Sequence, residues 1–349
     1  MNAKGILFLL LFALFGSFAL RAEDKPPVKK TDTRIKLPYA AWDAYMLGID
    51  TPEKVKSLRD SRKRIPVIGL VSFSGLKREV HQKHLDDGRE IEYVMGKPAG
   101  PNSMHDNYQI SEVLQIARRL GIAMRIRVYR VSSASQFAAA LARAGKESDI
   151  VLTYHSMWSG IEPMAKAIAD NPRTLYIAPY AQIAKKPPTG RSLQARARHP
   201  DGTGLRNFIT AVPFARNAKG LLINPLRRDK NDSETINVVS PSSYASGRGE
   251  TCPSAGVAAV VAAYIVSSSP KEKISPDEIV RIMVSNSSVP EKRMLGVVNF
   301  NATSVKSLRK NLKGLNTPDA TGIRRLEAEG VLDLWNICCS MHKTPKSGD

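Results

Sequence analysis

Cysteine is scarce in this chain, with three in 349 residues. Cys252, Cys338 and Cys339 offer no Cys-x-x-Cys spacing, which excludes the zinc sites and dithiol motifs built on it. An odd count leaves at least one thiol outside any intramolecular bridge. Cys252 pairs with Cys338 or Cys339 in one reading and is a small buried apolar residue in the other. Aromatic residues make up only 6 % of the chain, and no basic run alternates with them. That speaks against a stacking surface for single-stranded nucleic acid, so no specific nucleic-acid partner is expected. Acids are outnumbered: 32 Asp and Glu stand against 52 Lys and Arg, for a formal charge of +20. Such a surplus either attracts polyanions, an acidic envelope component among them, or forms a solvated basic surface. Beyond the N-terminus no apolar run reaches the ~20 residues that span a bilayer.

The N-terminus carries the one long apolar run. Lys4 precedes Ile6 to Phe15, and small residues follow at Ser17, Ala19 and Ala22. This pattern reads as a secretory signal over 1–22, with an uncleaved membrane anchor as the alternative. A secreted or periplasmic location follows from the first reading. Residues 23–64 read as a flexible charged leader, in which the stretch around Trp42 and Tyr45 packs on the domain. Residues 341–349 read as a polar tail.

Between these ends, strands alternate with helices. Val67 to Val71, Ile122 to Val131, Asp149 to Tyr154 and Thr174 to Tyr180 read as strands. Further short strands are expected at Asn207 to Phe214, Gly220 to Asn224 and Thr235 to Val239. Ser111 to Leu120, Ser133 to Gly145 and Ser159 to Asp170 read as helices, and Ser275-Pro-Asp-Glu278 is a capping box with proline in the first turn. Residues 291 to 322 read as basic loop, and Glu329 to Ile337 as a terminal helix. Strands alternating with helices of about ten residues imply βαβ units: an α/β fold, mostly parallel sheet, helices on both faces.

The organising stretch is Gly247 to Ala263. Two glycines lead to Cys252-Pro253, and from Ala255 to Ala263 no residue is polar. A helix apolar on every side must be buried. Its N-terminus gathers unpaired N–H groups and the positive dipole end, a place for a reactive oxygen or an anion. Ala255-Gly-Val-Ala-Ala259 resembles the serine-bearing helix of the subtilases, the subtilisin-like serine peptidases. Asp149 to Ser156 is similar to their substrate-binding strand, Ser275 to Ser288 to the helix after the serine helix, and Gly330-Val-Leu-Asp-Leu-Trp335 to their closing segment. The resemblance implies a three-layer subtilisin-like domain over residues 65–340.

It also implies where the catalytic groups should stand. The serine position falls on Gly249, or on Arg248 in the alternative anchoring, neither a nucleophile. The aspartate position falls on Phe73, with no acid between Pro66 and Leu76. The histidine position falls on Asp106, with His105 beside it; Asp106 or Asn107 capping a helix is the simpler reading. Gln182 stands near the oxyanion asparagine and keeps an amide donor. Ser246, Thr251, Cys252 and Ser254 are the nearest stand-in nucleophiles, and His105 and His155 the nearest bases. His155, Ser156 and Gly249 are the expected cleft residues, since parallel sheets place sites at strand C-termini. His81 and His84 share a helical face without a third ligand, and Gly247-x-Gly249 lacks the Lys-Ser/Thr ending of a phosphate loop, so neither metal nor cofactor is expected.

Three functions are open. The first is an exported, monomeric, subtilisin-like pseudopeptidase holding a peptide or protein ligand in its cleft. The second is an active serine endopeptidase with shifted residues: His105, Ser246 or Ser254, and Gln182. The third is a basic envelope-binding protein attached to polyanions through the loop around Arg191 to Arg198.

Overall fold

The computed structural model describes residues 39–73, 85, 89–95, 104–153, 161–179, 205–215, 236–242, 251–297, 300, 302–315 and 330–342. Contacts divide the chain into Met1–Thr33 and Arg34–Asp349, and every described residue belongs to the second unit.

Seven strands form one sheet: β1 (Val67–Ser72), β2 (Arg89–Met95), β3 (Met124–Arg130), β4 (Ile150–Thr153), β5 (Leu175–Pro179), β6 (Phe208–Ala215) and β7 (Ile236–Ser242). Their order is β2-β3-β1-β4-β5-β6-β7, and every pairing between them is parallel. Alternation of side chains assigns the two faces. Ile68 and Leu70, Met124, Ile126 and Val128, Ile150 and Leu152, and Leu175 and Ile177 all enter one core. Helices α3 (Met104–Arg119) and α6 (Thr251–Ser268) close that face, with α2 (Pro52–Asp60), α7 (Pro276–Ser285) and α10 (Leu334–His342) around them. Val71, Tyr129, Val151 and Tyr176 point to the other face, which α4 (Ala134–Glu147) and α5 (Ile161–Ala169) cover. Toward β6 and β7 the same face is closed by α1 (Tyr39–Met46), α8 (Glu291–Leu295) and α9 (Ala302–Leu315), where Trp42 stacks on Phe300 at 5.3 Å and meets Phe214 at 5.7 Å. The expected α/β class, with helices on both faces of a parallel sheet, is the observed one.

The wholly apolar stretch is a buried helix. From Ala258 to Ile265 every residue of α6 is fully buried. It reaches β1 and β4 through β7, because alanine and valine hold its axis close to the strands. The expected caps form as well. Ser133 Oγ accepts from Gln136 N at 3.3 Å, and Ser275 Oγ from Glu278 N at 3.2 Å.

Several expectations need correction. The flexible leader does not extend to residue 64: α1 and α2 are helices, with Trp42, Met46, Leu47 and Leu58 fully buried. The charges of α2 flank the buried Leu58, which hid its apolar side, whereas the one acid of α1, Asp43, is buried. Residues 291–315 hold helices α8 and α9, because Val305, Leu308 and Leu312 recur at helical spacing beneath the lysines. The terminal helix starts at Leu334; Val331 instead bridges Val239 and Ser288. It continues through His342, past the expected end of the domain at residue 340. Strand β2 was not anticipated. Its Glu90 and Glu92 pair with Arg125 and Arg127 across β3, at 2.8 and 2.9 Å, so charge alternation disguises an edge strand. The expected strand Gly220 to Asn224 lies outside the described residues. Among the described residues no helix is long and apolar enough to cross a membrane.

Candidate functional site

The directions of α3 and α6 fix where the two helix N-termini lie. The C-terminal turn of α6 meets the start of β1: the Ser267 carbonyl accepts from Lys63 N at 2.7 Å and Arg64 N at 3.2 Å. α3 ends at Arg119, and the chain turns through Gly121 into β3 at Met124. Both helices therefore end at the edge where the strands begin, and both start at the edge where the strands end. Two N-terminal dipole ends thus share the carboxyl edge of the sheet, on one face. The last residues of β1, β4 and β7 there are Ser72, Thr153 and Ser242, all buried hydroxyls.

His105 and Asp106 lie in the first turn of α3, and Cys252 and Ser254 in the first turn of α6; α3 thus begins before the expected Ser111, and Asp106 and Asn107 are helical residues rather than its cap. The fold thus brings the expected base segment and the expected nucleophile segment to one edge. Ser254 is fully buried, and its hydroxyl donates to the Ala211 carbonyl of β6 at 3.1 Å. That bond ties α6 to the strand beneath it. Phe73, one residue beyond β1, keeps the parity of Val71 and stacks on Phe137 of α4 at 5.1 Å. Its ring therefore packs on the face opposite α3 and α6. Ser72, of the other parity, carries a hydroxyl, so neither residue at the end of β1 supplies a carboxylate to orient a histidine. Gln182, His155, Ser156, Ser246, Arg248 and Gly249 lie outside the described residues, as do His81, His84 and the loop from Arg191 to Arg198.

The cysteines decide between their two readings. All three are unbridged. Cys252 packs partly buried at the start of α6, whereas Cys338 hydrogen-bonds Tyr264, twelve residues farther along. At 1.5 Å per residue that is roughly 18 Å, far beyond disulfide reach. Burial pushes the Cys338 thiol up despite the opposing Tyr264 hydrogen bond, so it stays protonated and weakly nucleophilic. The Tyr264 hydroxyl also meets Ser61 Oγ at 2.9 Å and His342 Nε2 at 3.5 Å. Burial, with Lys63 beside it, holds His342 below the usual histidine range. This cluster ties α2 and α10 to α6 at the end remote from the candidate site.

A cavity of about 410 Å³ opens at that remote edge, lined by Arg64, Lys146, Asp149, Asp170, Arg173 and Lys273 among others. Sequence reading passed over it. Its available signal was the charged residue just before each buried strand: Arg64 before β1, Asp149 before β4 and Arg173 before β5. Among the described residues no group of three or more His, Cys, Asp or Glu side chains is placed to hold a metal.

No protein-family model matches the chain, and no curated protein matches it. Among solved structures it is similar to the patellamide maturation protease PatG, at 12 % identity and a TM-score of 0.45, over 74 % of this chain and 96 % of that one.

Proposed function

We propose that this chain is an exported subtilisin-like domain that binds a peptide or protein along the carboxyl edge of its sheet without hydrolysing it. The carrying observation is Phe73. At the position where the resemblance expects an aspartate, an aromatic ring stacks on Phe137 and turns away from α3 and α6. Two further features support the reading. Ser254 uses its hydroxyl to hold α6 to β6, and the aligned serine position is Gly249 or Arg248. Losing a single member of a catalytic triad already costs orders of magnitude in rate, so a site lacking two has no efficient route to an acyl-enzyme. What supports binding is that two helix N-termini share this edge, where their N–H groups and dipoles suit backbone carbonyls and carboxylates. Export rests on Lys4 and the apolar run from Ile6 to Phe15.

The test treats purified mature protein with a fluorophosphonate probe and maps adducts by mass spectrometry. The expected result is no adduct on a folded sample. A stoichiometric adduct on Ser246, Ser254 or another single serine overturns the reading in favour of an active endopeptidase. N-terminal sequencing of the same sample checks export: a start after Ala19 or Ala22 is expected, and an intact Met1 argues for the anchor.

A further inference from the structure

The cavity at the amino edge of the sheet is ringed by unequal charge. Arg64, Lys146, Arg173 and Lys273 face two carboxylates, Asp149 and Asp170. Both carboxylates are already engaged. Asp149 accepts from Arg64 Nη1 at 2.9 Å and Val67 N at 2.8 Å, and Asp170 pairs with Lys166 at 2.7 Å. Lys146, Arg173 and Lys273 make no hydrogen bond or ion pair among the described residues.

Cations near helix C-termini often serve only to satisfy the last carbonyls. Here that task falls to other groups. At the end of α4, the Gly145 carbonyl accepts from Thr174 Oγ1 at 2.6 Å and the Glu147 carbonyl from Arg127 at 3.1 Å. At the end of α5, the Ala167 carbonyl accepts from Asn171 Nδ2 at 2.7 Å and the Ile168 carbonyl from Asn207 Nδ2 at 3.0 Å. At the end of α6, Val266 and Ser267 carbonyls accept from Arg64 Nε and from the Lys63 and Arg64 amides. The three cations are therefore surplus to the needs of the helix ends. They rim a volume that falls within the range of small-molecule sites.

We propose that this cavity binds a phosphorylated small molecule or polymer unit, its phosphate among Lys146, Arg173 and Lys273 and its organic carrier against Pro172. A phosphate dianion draws on several cations at once, and the exposed ring of Pro172 gives the carrier apolar surface to cover. The site lies at the opposite edge from the peptide cleft and does not depend on it.

Calorimetric titration of the mature full chain with glucose 6-phosphate, inorganic phosphate and glucose tests this. Glucose 6-phosphate should bind more tightly than inorganic phosphate, and glucose should not bind. Replacing Lys146, Arg173 and Lys273 by Gln together should weaken glucose 6-phosphate binding by about tenfold or more. Replacing Arg281, Lys306 and Lys310 by Gln, which removes the same charge elsewhere, should change it less than about twofold. The Arg173→Gln variant alone should show a smaller loss in the same direction and serves if the triple variant does not fold. Equal losses in the two triple variants, or no binding of either phosphate compound to the parent, overturn the site. Equal affinity for glucose 6-phosphate and inorganic phosphate overturns the seated carrier and assigns the cations to free phosphate.

Discussion

On one face of the sheet, α6 presents alanine and valine, and the helix lies close to five strands. On the other face, the space beneath the helices is filled by rings: Tyr129, Phe137, Tyr176 and Phe208 under α4 and α5, then Trp42, Phe214 and Phe300 near α1 and α9. Both faces reach full burial, by opposite routes. Small residues bring backbones together and leave no room for growth, whereas large rings keep backbones apart and leave a hole when lost. The small-residue helix α6 is one of the two whose N-termini edge the candidate site. The aromatic face belongs to elements that only support.

The contrast can be broken from the aromatic side first. Trp42→Ala should cost about 3–5 kcal/mol, because the stacked rings of Phe300 and Phe214 cannot collapse into the vacancy. Chemical denaturation of the mature protein reads this as a lower midpoint with an unchanged slope. The complementary insult is Ala259→Leu in α6, where overpacking should cost about 1–3 kcal/mol. A cost near zero there would mean that α6 can lift from the sheet, and the distinction between the faces would fail.

A finer test lies where a ring takes the place of a side chain. A Cβ on Gly145 would sit 1.9 Å from Tyr176 Oη and 2.8 Å from the Asn171 amide carbon. Gly145→Ala should therefore destabilise by about 1–3 kcal/mol, and adding Tyr176→Phe should recover part of the loss. Strict additivity of the two changes would show that the phenol is not the obstacle.

The smallest effect is electrostatic. Arg143 first, and then the Tyr129 hydroxyl, hold Glu147 below the usual carboxylate range. A depressed carboxylate contributes stability that is complete above its unfolded pKa of about 4.3 and is lost as pH falls through its folded value. Tyr129, pushed up to about 12 by burial and by its 2.7 Å bond to Glu147, keeps its proton throughout that window. Glu147→Gln should therefore lower stability slightly at neutral pH and leave it almost unchanged at acid pH, which flattens the acid limb of the stability curve. An identical acid limb in the two proteins would remove this pair from the account.

The small-residue face was the more legible of the two in the sequence. A run without polar residues from Ala255 to Ala263 has one solution, a buried helix, and alternation in Met124 to Val128 marks its strand just as directly. The supporting layer was harder to read. In α9, among the described side chains, Val305, Leu308 and Leu312 carry the core stripe amid lysines and an arginine, and in β2 the glutamates answer arginines that lie thirty-five residues away. Long-range partners of that kind leave no local periodicity. At the candidate site the sequence located the start of α6 to within a few residues but placed that of α3 too late, because the polar segment before Ser111 shows no apolar stripe; the fold places both starts at one edge. The direction taken by Phe73 depends on strand parity relative to α3 and α6, and that is a property of topology rather than of spacing.

The position of α6 within the chain also sets a schedule. Ser267 receives the amides of Lys63 and Arg64, and Tyr264 reaches Ser61 across 203 residues. The strands made first are thus sealed by a helix made late, and a ribosome that has released β1 through β7 has delivered a sheet whose α6 side carries α3 without α6 and whose other side still lacks α8 and α9. Closure of the α6 side awaits at least residue 268, whatever the intrinsic speed of the local elements. Loop closure over such distances is slow, and the exposed strands meanwhile are adhesive. This domain should accordingly be a poor co-translational folder, with its yield governed by whatever shields the open sheet until α6 arrives.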